Sequence, residues 1–111
     1  MTQRDDDLYL VHMRDLAEEA HSIVEELDID EFLANSTLRY SIAYLLLPIG
    51  EAAGRVPRDR QAQIPVPWQR IIGMRHRLAH DYLTVNYRMV WTTAREELPD
   101  LIAAIEQALD D

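Results

Sequence analysis

The chain has 111 residues, no cysteine and a formal net charge of −9. This length suits one domain, expected over residues 1–111, and the missing cysteine excludes disulfides and thiolate chemistry. The longest apolar run, residues 42–49, is too short to cross a bilayer, and the acidic N-terminus argues against a signal peptide. We therefore expect a cytoplasmic protein that does not enter the membrane.

The charge is distributed unevenly along the chain. Residues 1–54 carry 12 acids and 3 arginines, residues 55–95 carry 8 arginines and 2 acids, and residues 96–111 carry 6 acids and no base. Local charge, rather than the total, steers a polyanion to a binding site. The basic middle segment therefore keeps a nucleic-acid partner open in spite of the acidic total.

Apolar residues recur every three to four positions and never alternate as in a strand, which predicts helices throughout. In chain order we expect a first helix from Asp5 to Leu27, about one helical turn at 31–34, and long helices from Ser36 to Ala53, Pro67 to His80 and Asn86 to Leu109. The first helix has its apolar spacing at Leu8, Val11, Leu16, Ile23 and Leu27. The predicted fold is an all-α, up-and-down bundle of four to five helices.

Prolines and caps set the expected helix ends. Ser36 is a candidate N-cap and Gly54 a candidate stop, while Pro67 suits a first helical position. Pro48 should bend or interrupt the second long helix, and Pro99 should kink or divide the last one, because proline lacks a backbone donor.

The residues that suggest chemistry are Arg75, His80 and Tyr82, in the pattern Arg-x4-His-x-Tyr. On a straight helix Arg75 and His80 would lie about 140° apart, so they converge only near a helix end or between two copies of the chain. Beyond a helix end, an extended backbone would place His80 and Tyr82 on one side.

These residue types suit the cleavage of RNA without a metal. Histidine can move protons near neutral pH, and arginine can stabilise charge on a phosphate. Arg70 and Arg77 could attract the RNA backbone, and Tyr82 could stack on a base or bind a phosphate.

Two other interpretations stay open at this point. Arginine, histidine and tyrosine near a helix end can simply bind carbonyl groups and pair with acids. A zinc site is a second alternative, since His76 and His80 share a helix face with Asp81 adjacent. The zincin His-Glu-x-x-His pattern is absent, and we expect no metal and no cofactor.

The motif resembles that of the HepT-like branch of the HEPN superfamily, and the similarity extends beyond it. Ile49-Gly50-Glu51-Ala52-Ala53 resembles the central-helix signature of that family, and residues 67–75, from Pro67 to Arg75, resemble its approach to the motif. Trp91 and Leu98-Pro99-Asp100-Leu101 resemble its closing helix. Together these segments cover about residues 8–109.

The resemblance implies a HEPN-like fold and a homodimeric toxin of a type VII-like toxin–antitoxin pair. Such toxins are metal-independent endoribonucleases that act on RNA, here tRNA or mRNA. Arg75 and His80 would be the catalytic pair in a cleft at the dimer interface. The partner antitoxin would be an MntA-like minimal nucleotidyltransferase that transfers AMP from ATP to Tyr82. The alternative is a non-catalytic dimeric HEPN scaffold partnered with a nucleotidyltransferase.

One departure from the family pattern is His76, because the family usually has asparagine directly after the motif arginine. His76 could assist catalysis, change the RNA preference or do neither. Glu51, in an otherwise apolar helix, could pair with a motif arginine across the cleft, and the alternative is that it faces solvent or a neighbouring polar group. Gly50 and Gly73 are expected to permit close helix approach.

Overall fold

The computed structural model describes residues 5–111, and the first four residues of the expected domain and N-terminus lie outside that description. The helices of the described part are α1 Asp7–Val24, α2 Ile29–Ala34, α3 Ser36–Arg55, α4 Arg58–Gln61, α5 Trp68–His80, α6 Tyr87–Thr92 and α7 Leu98–Asp110. A 3-10 turn, Tyr82–Thr84, follows α5, and a π-helical segment, Thr93–Glu97, joins α6 to α7. No strand occurs between residues 5 and 111, and the predicted all-α class is confirmed.

Side-chain caps explain where the early helices begin. Asp28 and Glu31 form a reciprocal capping box, with bonds of 2.8 and 3.1 Å, so α2 is longer than the single turn predicted. Asn35 caps α3 by accepting a bond from the amide of Leu38. The prediction that Ser36 is the cap was wrong by one residue, because the asparagine before it already satisfies the free amide.

The connection between α3 and α5 contains the short helix α4, which apolar spacing could not reveal. The indole N–H of Trp68 donates to the carbonyls of Gln61 and Ile64, at 3.0 and 3.1 Å, and so ties the start of α5 to the end of α4. Pro67 is the N-cap of α5 and not its first residue, so that prediction was also wrong by one position.

The two prolines inside predicted helices behave differently. Helix α3 continues through Pro48 to Arg55. Near Pro99 the chain stays helical but widens, since the amide of Leu98 donates to the carbonyl of Thr93, five residues earlier. Proline cannot donate and its ring crowds the carbonyl four residues before it, which favours a wider turn. The last helix is therefore disturbed but not divided.

The core lies where α1 packs against α3 and α7, and where α3 packs against α5. The buried face of α1 is Leu10, Met13, Ala17, Ala20 and Val24. The predicted apolar spacing described the flank of this face instead: Leu8 is exposed, and Val11, Leu16, Ile23 and Leu27 are only partly buried. Small alanines occupy the centre because they let the helices approach closely.

Helices α3 and α5 run antiparallel. Gln61, next to Trp68 at the start of α5, donates to the carbonyls of Ala53 and Val56 at the end of α3. At the other end, Tyr40 of α3 meets Tyr87 beyond α5, with ring centroids 6.3 Å apart. This pairing brings the end of α5 beside the middle of α3.

Charged contacts join the N-terminal end of α1 to the rest of the molecule. The buried Arg60 places Nη1 3.1 Å from Asp6 Oδ1 and Nη2 2.9 Å from Asp7 Oδ1. The contact with Asp7 is a charge contact and not a hydrogen bond. Because Arg60 and Asp6 are buried and Asp7 is mostly so, this cluster fixes α4 against α1.

Candidate active site

The candidate site is built where α3 and α5 approach most closely. A Cβ at Gly50 would overlap Arg75 Cβ and lie 3.1 Å from the Ile71 carbonyl oxygen, so no larger residue fits without movement. The expectation of close approach is confirmed for Gly50. It was wrong for Gly73, where a Cβ would meet nothing within 4 Å.

This approach places Arg75 against Glu51. Arg75 Nη2 lies 2.9 Å from Glu51 Oε2, and Arg55 Nη2 lies 3.1 Å from Glu51 Oε1. The predicted pairing of Glu51 with a motif arginine is thus confirmed. The hydrogen bond that Arg55 donates to Glu51 is the main cause that raises the pKa of the exposed Arg55 guanidinium, so Arg55 keeps its charge. Two guanidinium groups and one carboxylate leave an excess of positive charge.

His76 and His80 lie side by side on the exposed surface of α5. Their ring centroids are 5.4 Å apart, with an angle of 32° between the planes. His21 differs, because its Nδ1 lies 3.1 Å from the carbonyl oxygen of Ala94 and joins α1 to the π segment. A histidine pair open to solvent can exchange protons with a bound molecule.

The arginines border this histidine pair on both sides. Measured around the axis of α5 from Arg75, His76 lies at about 100° and His80 at about 140°. In the same direction, Arg77 lies at about 200° and Arg70 at about 220°. Arg75 turns towards α3, whereas Arg77 Nη1 reaches the Met89 sulfur at 3.8 Å. The exposed face of α5 thus carries two histidines between two sets of cations.

Arg70 is paired with an acidic side chain, and so it is less available to a phosphate than an unpaired arginine would be. Its two terminal nitrogens meet the two carboxylate oxygens of Glu97 at 2.7 and 2.8 Å, and Thr93 Oγ1 donates to the same carboxylate at 3.1 Å. This pair stands at the rim of an apolar cavity of about 260 Å³ between α3, α5 and α7. Arg70 therefore links α5 to the π segment.

Tyr82 lies just beyond the histidines, in the 3-10 turn. It is 69% exposed, and Leu83 beside it is 86% exposed. The expected extended backbone after His80 was wrong. Helix α5 includes His80, and the following turn is closed by bonds from Thr84 to the Asp81 carbonyl. Tyr82 consequently faces solvent through its place in a turn, and not through strand-like alternation.

Sequence reasoning missed one surface near the motif. Tyr44 is 74% exposed, and the antiparallel pairing places it level with the end of α5, where Tyr82 and Leu83 are exposed. Tyr44 and Glu51 are seven residues apart and share one face of α3. In the sequence, the spacing of seven residues between Tyr44 and Glu51 in an otherwise apolar helix could have indicated this surface. We call Tyr44, Tyr82 and Leu83 the apolar rim.

The structure does not bring every candidate together. Arg75 and His80 belong to the same helix but point to different sides, and no hydrogen bond joins them in residues 5–111. The zinc alternative gains no third ligand, since the same residues contain no group of three His, Asp or Glu side chains placed to hold a metal. Nor does any helix in this range have the length and hydropathy to cross a membrane.

The family model of the HepT-like ribonucleases matches residues 13–108 of the chain. This range contains every residue of the candidate site. The chain belongs to the HepT-like ribonuclease family. The resemblance seen in the sequence is therefore confirmed.

Individual relatives of this HepT-like chain agree over most of their length. A "Putative RNase" of Methanocaldococcus jannaschii is 30% identical across 100% of this chain and 97% of its own. A "Putative RNase" of Caldanaerobacter subterraneus subsp. tengcongensis is 33% identical, over 91% of each chain. A "Probable ribonuclease HepT" of Thermococcus cleftensis is 31% identical, over 86% of this chain and 91% of its own. No solved structure matches the chain significantly.

Proposed function

We propose that this HepT-like chain is a metal-independent endoribonuclease, the toxin of a toxin–antitoxin pair. The observation that carries the proposal is the exposed pair His76 and His80 on α5, with cations on both flanks. In this proposal Arg75 binds the scissile phosphate and stabilises its added negative charge, while His80 transfers a proton. Arg77 and Arg55 attract the neighbouring phosphates.

We further propose that the active form is a homodimer with the exposed face of α5 at the two-fold axis. Arg75 and His80 diverge on one helix, so a second copy would complete a cleft that one copy leaves open. The apolar rim favours this face, because large exposed apolar side chains next to a polar site are typical of interfaces. Sedimentation of Leu83→Asp should show monomer, whereas Leu8→Asp, on the exposed surface of α1, should leave the dimer intact. A wild-type chain that stays monomeric at micromolar concentration would rule this assembly out.

We also propose that an MntA-like nucleotidyltransferase controls the toxin at Tyr82. The phenol oxygen would attack the α-phosphorus of ATP, forming an O-AMP bond and releasing pyrophosphate. The exposure of Tyr82 supports this, since the transferring enzyme needs access to the hydroxyl. The added nucleotide would bring bulk and negative charge to the place where the RNA phosphate binds.

Two experiments test these proposals separately. Purified chain is incubated with tRNA and mRNA, with and without EDTA. Cleavage that survives EDTA and disappears in His80→Ala supports the nuclease, whereas no cleavage by a folded dimer supports the scaffold alternative. Intact mass after co-expression with a neighbouring nucleotidyltransferase should increase by AMP units. The increase should vanish in Tyr82→Phe, and its persistence there would contradict modification at this tyrosine.

A further inference from the structure

His76 is free of any structural role in the described part of the chain. Its side chain is exposed, and within residues 5–111 its ring contacts the ring of His80. His21, by contrast, is bonded to the backbone of the π segment. A histidine that supports no fold contact and lies beside a proposed catalytic histidine calls for a chemical explanation.

The position of His76 is well suited to a substrate bound by Arg75. Around α5, His76 lies between Arg75 and His80, about 100° from the first and 40° from the second. It also borders the shallow groove formed by Glu51, Arg55 and Arg75. A phosphate held in this groove would therefore reach His76 before it reaches His80.

RNA cleavage without a metal requires two proton transfers at different oxygens. The 2′-hydroxyl loses a proton as its oxygen attacks phosphorus, and the departing 5′-oxygen gains one on the opposite side. One imidazole cannot be adjacent to both oxygens in an in-line arrangement. Two rings with centroids 5.4 Å apart can each reach one oxygen of a phosphate bound in front of them.

We propose that His76 is the second proton-transfer residue and works as an acid–base pair with His80. This inference rests on the proposed nuclease function. One imidazole, in its neutral form, accepts the 2′-hydroxyl proton while the bond between O2′ and phosphorus forms. The bond from phosphorus to O5′ breaks, and the other imidazole, protonated, gives its proton to O5′. The products are a 2′,3′-cyclic phosphate and a 5′-hydroxyl, and exchange with water resets the pair.

The electrostatic surroundings of the pair are known from each neighbouring element. From α3, Glu51 and Arg55 line the groove beside His76. From α5 itself come Arg75 and Arg77, and Asp81 follows the helix end. A pH profile of cleavage therefore reports on the histidine pair within this set of neighbouring charges.

The test uses a DNA oligonucleotide with a single ribonucleotide, so that only one bond can be cut. The variants are His76→Asn, His76→Gln and His80→Asn, with His12→Asn as control because His12 is an exposed histidine on α1. Wild type and control should show a bell-shaped profile of kcat/KM. Both His76 variants should lose one limb of that profile, with a fall of about 10²–10⁴-fold.

A second substrate carries sulfur in place of the 5′-bridging oxygen at the same bond. Its thiolate leaves without a proton, so a variant that lacks the general acid should regain nearly the wild-type rate. Rescue of His76→Asn assigns His76 as the acid, and rescue of His80→Asn assigns His76 as the base. If wild type cuts RNA and both His76 variants keep its rate and pH profile, the role of His76 is overturned while the proposed nuclease function stands. If wild type cuts no RNA, the proposed function fails with it.

Discussion

The contact between Gly50 and Arg75 gives a sharp test of how the site is held. The substitution is Gly50→Ala, which adds one methyl group where α3 and α5 are closest. The matched control is Gly54→Ala, in the same helix, where the new Cβ would meet nothing within 4 Å. Both changes remove the flexibility of glycine, and only the first one meets a neighbour.

The magnitude follows from two opposing effects. Alanine in place of a helical glycine gains about 0.5–1 kcal/mol in each variant. At Gly50 the overlap with Arg75 Cβ forces the helices apart, and overpacking of this kind costs about 1–3 kcal/mol. Gly50→Ala should therefore be about 2 kcal/mol less stable than Gly54→Ala. For a domain of this size, that difference lowers the melting midpoint by roughly 8 °C or more.

The assay is reversible urea unfolding followed by circular dichroism, with a double-variant cycle. Arg75→Gly removes the Cβ that the new methyl group would overlap. Gly50→Ala combined with Arg75→Gly should therefore be at least about 1 kcal/mol more stable than the sum of the single effects. Equal stability of the two alanine variants, or additive effects in the cycle, would refute the close packing described here.

Three further outcomes are expected. Glu51→Gln should change the free energy of unfolding by less than about 1 kcal/mol, as for exposed ion pairs. The same substitution should lower kcat at least fivefold, because Arg75 loses its anchor. A loss of stability with kcat unchanged would contradict this. Trp68→Phe should cost about 1–2 kcal/mol in chemical unfolding, since two carbonyls lose the indole donor, and an unchanged midpoint would argue against those bonds. Arg60→Met should cost about 3–5 kcal/mol because buried carboxylates lose its charge, and a thermal midpoint near wild type would count against a buried ion pair.

The long helices were predictable because their apolar spacing reflects the packing of one face against neighbours. The same spacing misplaced the buried face of α1. Large apolar residues such as Leu16 indicated that face in the sequence, whereas the small residues Ala17 and Ala20 are the ones that lie there. Close helix packing favours small residues at the seam, and hydrophobicity alone does not show this. The helix ends at Asn35 and Pro67 depended on single local hydrogen bonds, which spacing does not resolve.

The candidate site was predicted in its components more fully than in its geometry. Four-residue spacing placed His76 beside His80, and an acid in an apolar helix pointed to a partner for Glu51. The turn that carries Tyr82 could not be inferred, because bonds from Thr84 to Asp81 decide it. The engagement of Arg70 with Glu97 depends on the π segment; Pro99 indicated a disturbed helix there but not that the disturbance would be a π turn over Thr93–Glu97.

The π segment Thr93–Glu97 also sets the rotational phase of the final helix. A π turn accommodates one residue more than a regular α-helical path. If the same residues instead followed a regular α-helical path, everything after them would rotate by about 100°. Leu101 and Ile105 would then turn away from α1, and the C-terminal helix would present a different side to the core. The π conformation of this segment, and not only the composition of α7, therefore determines which residues of the last helix are internal.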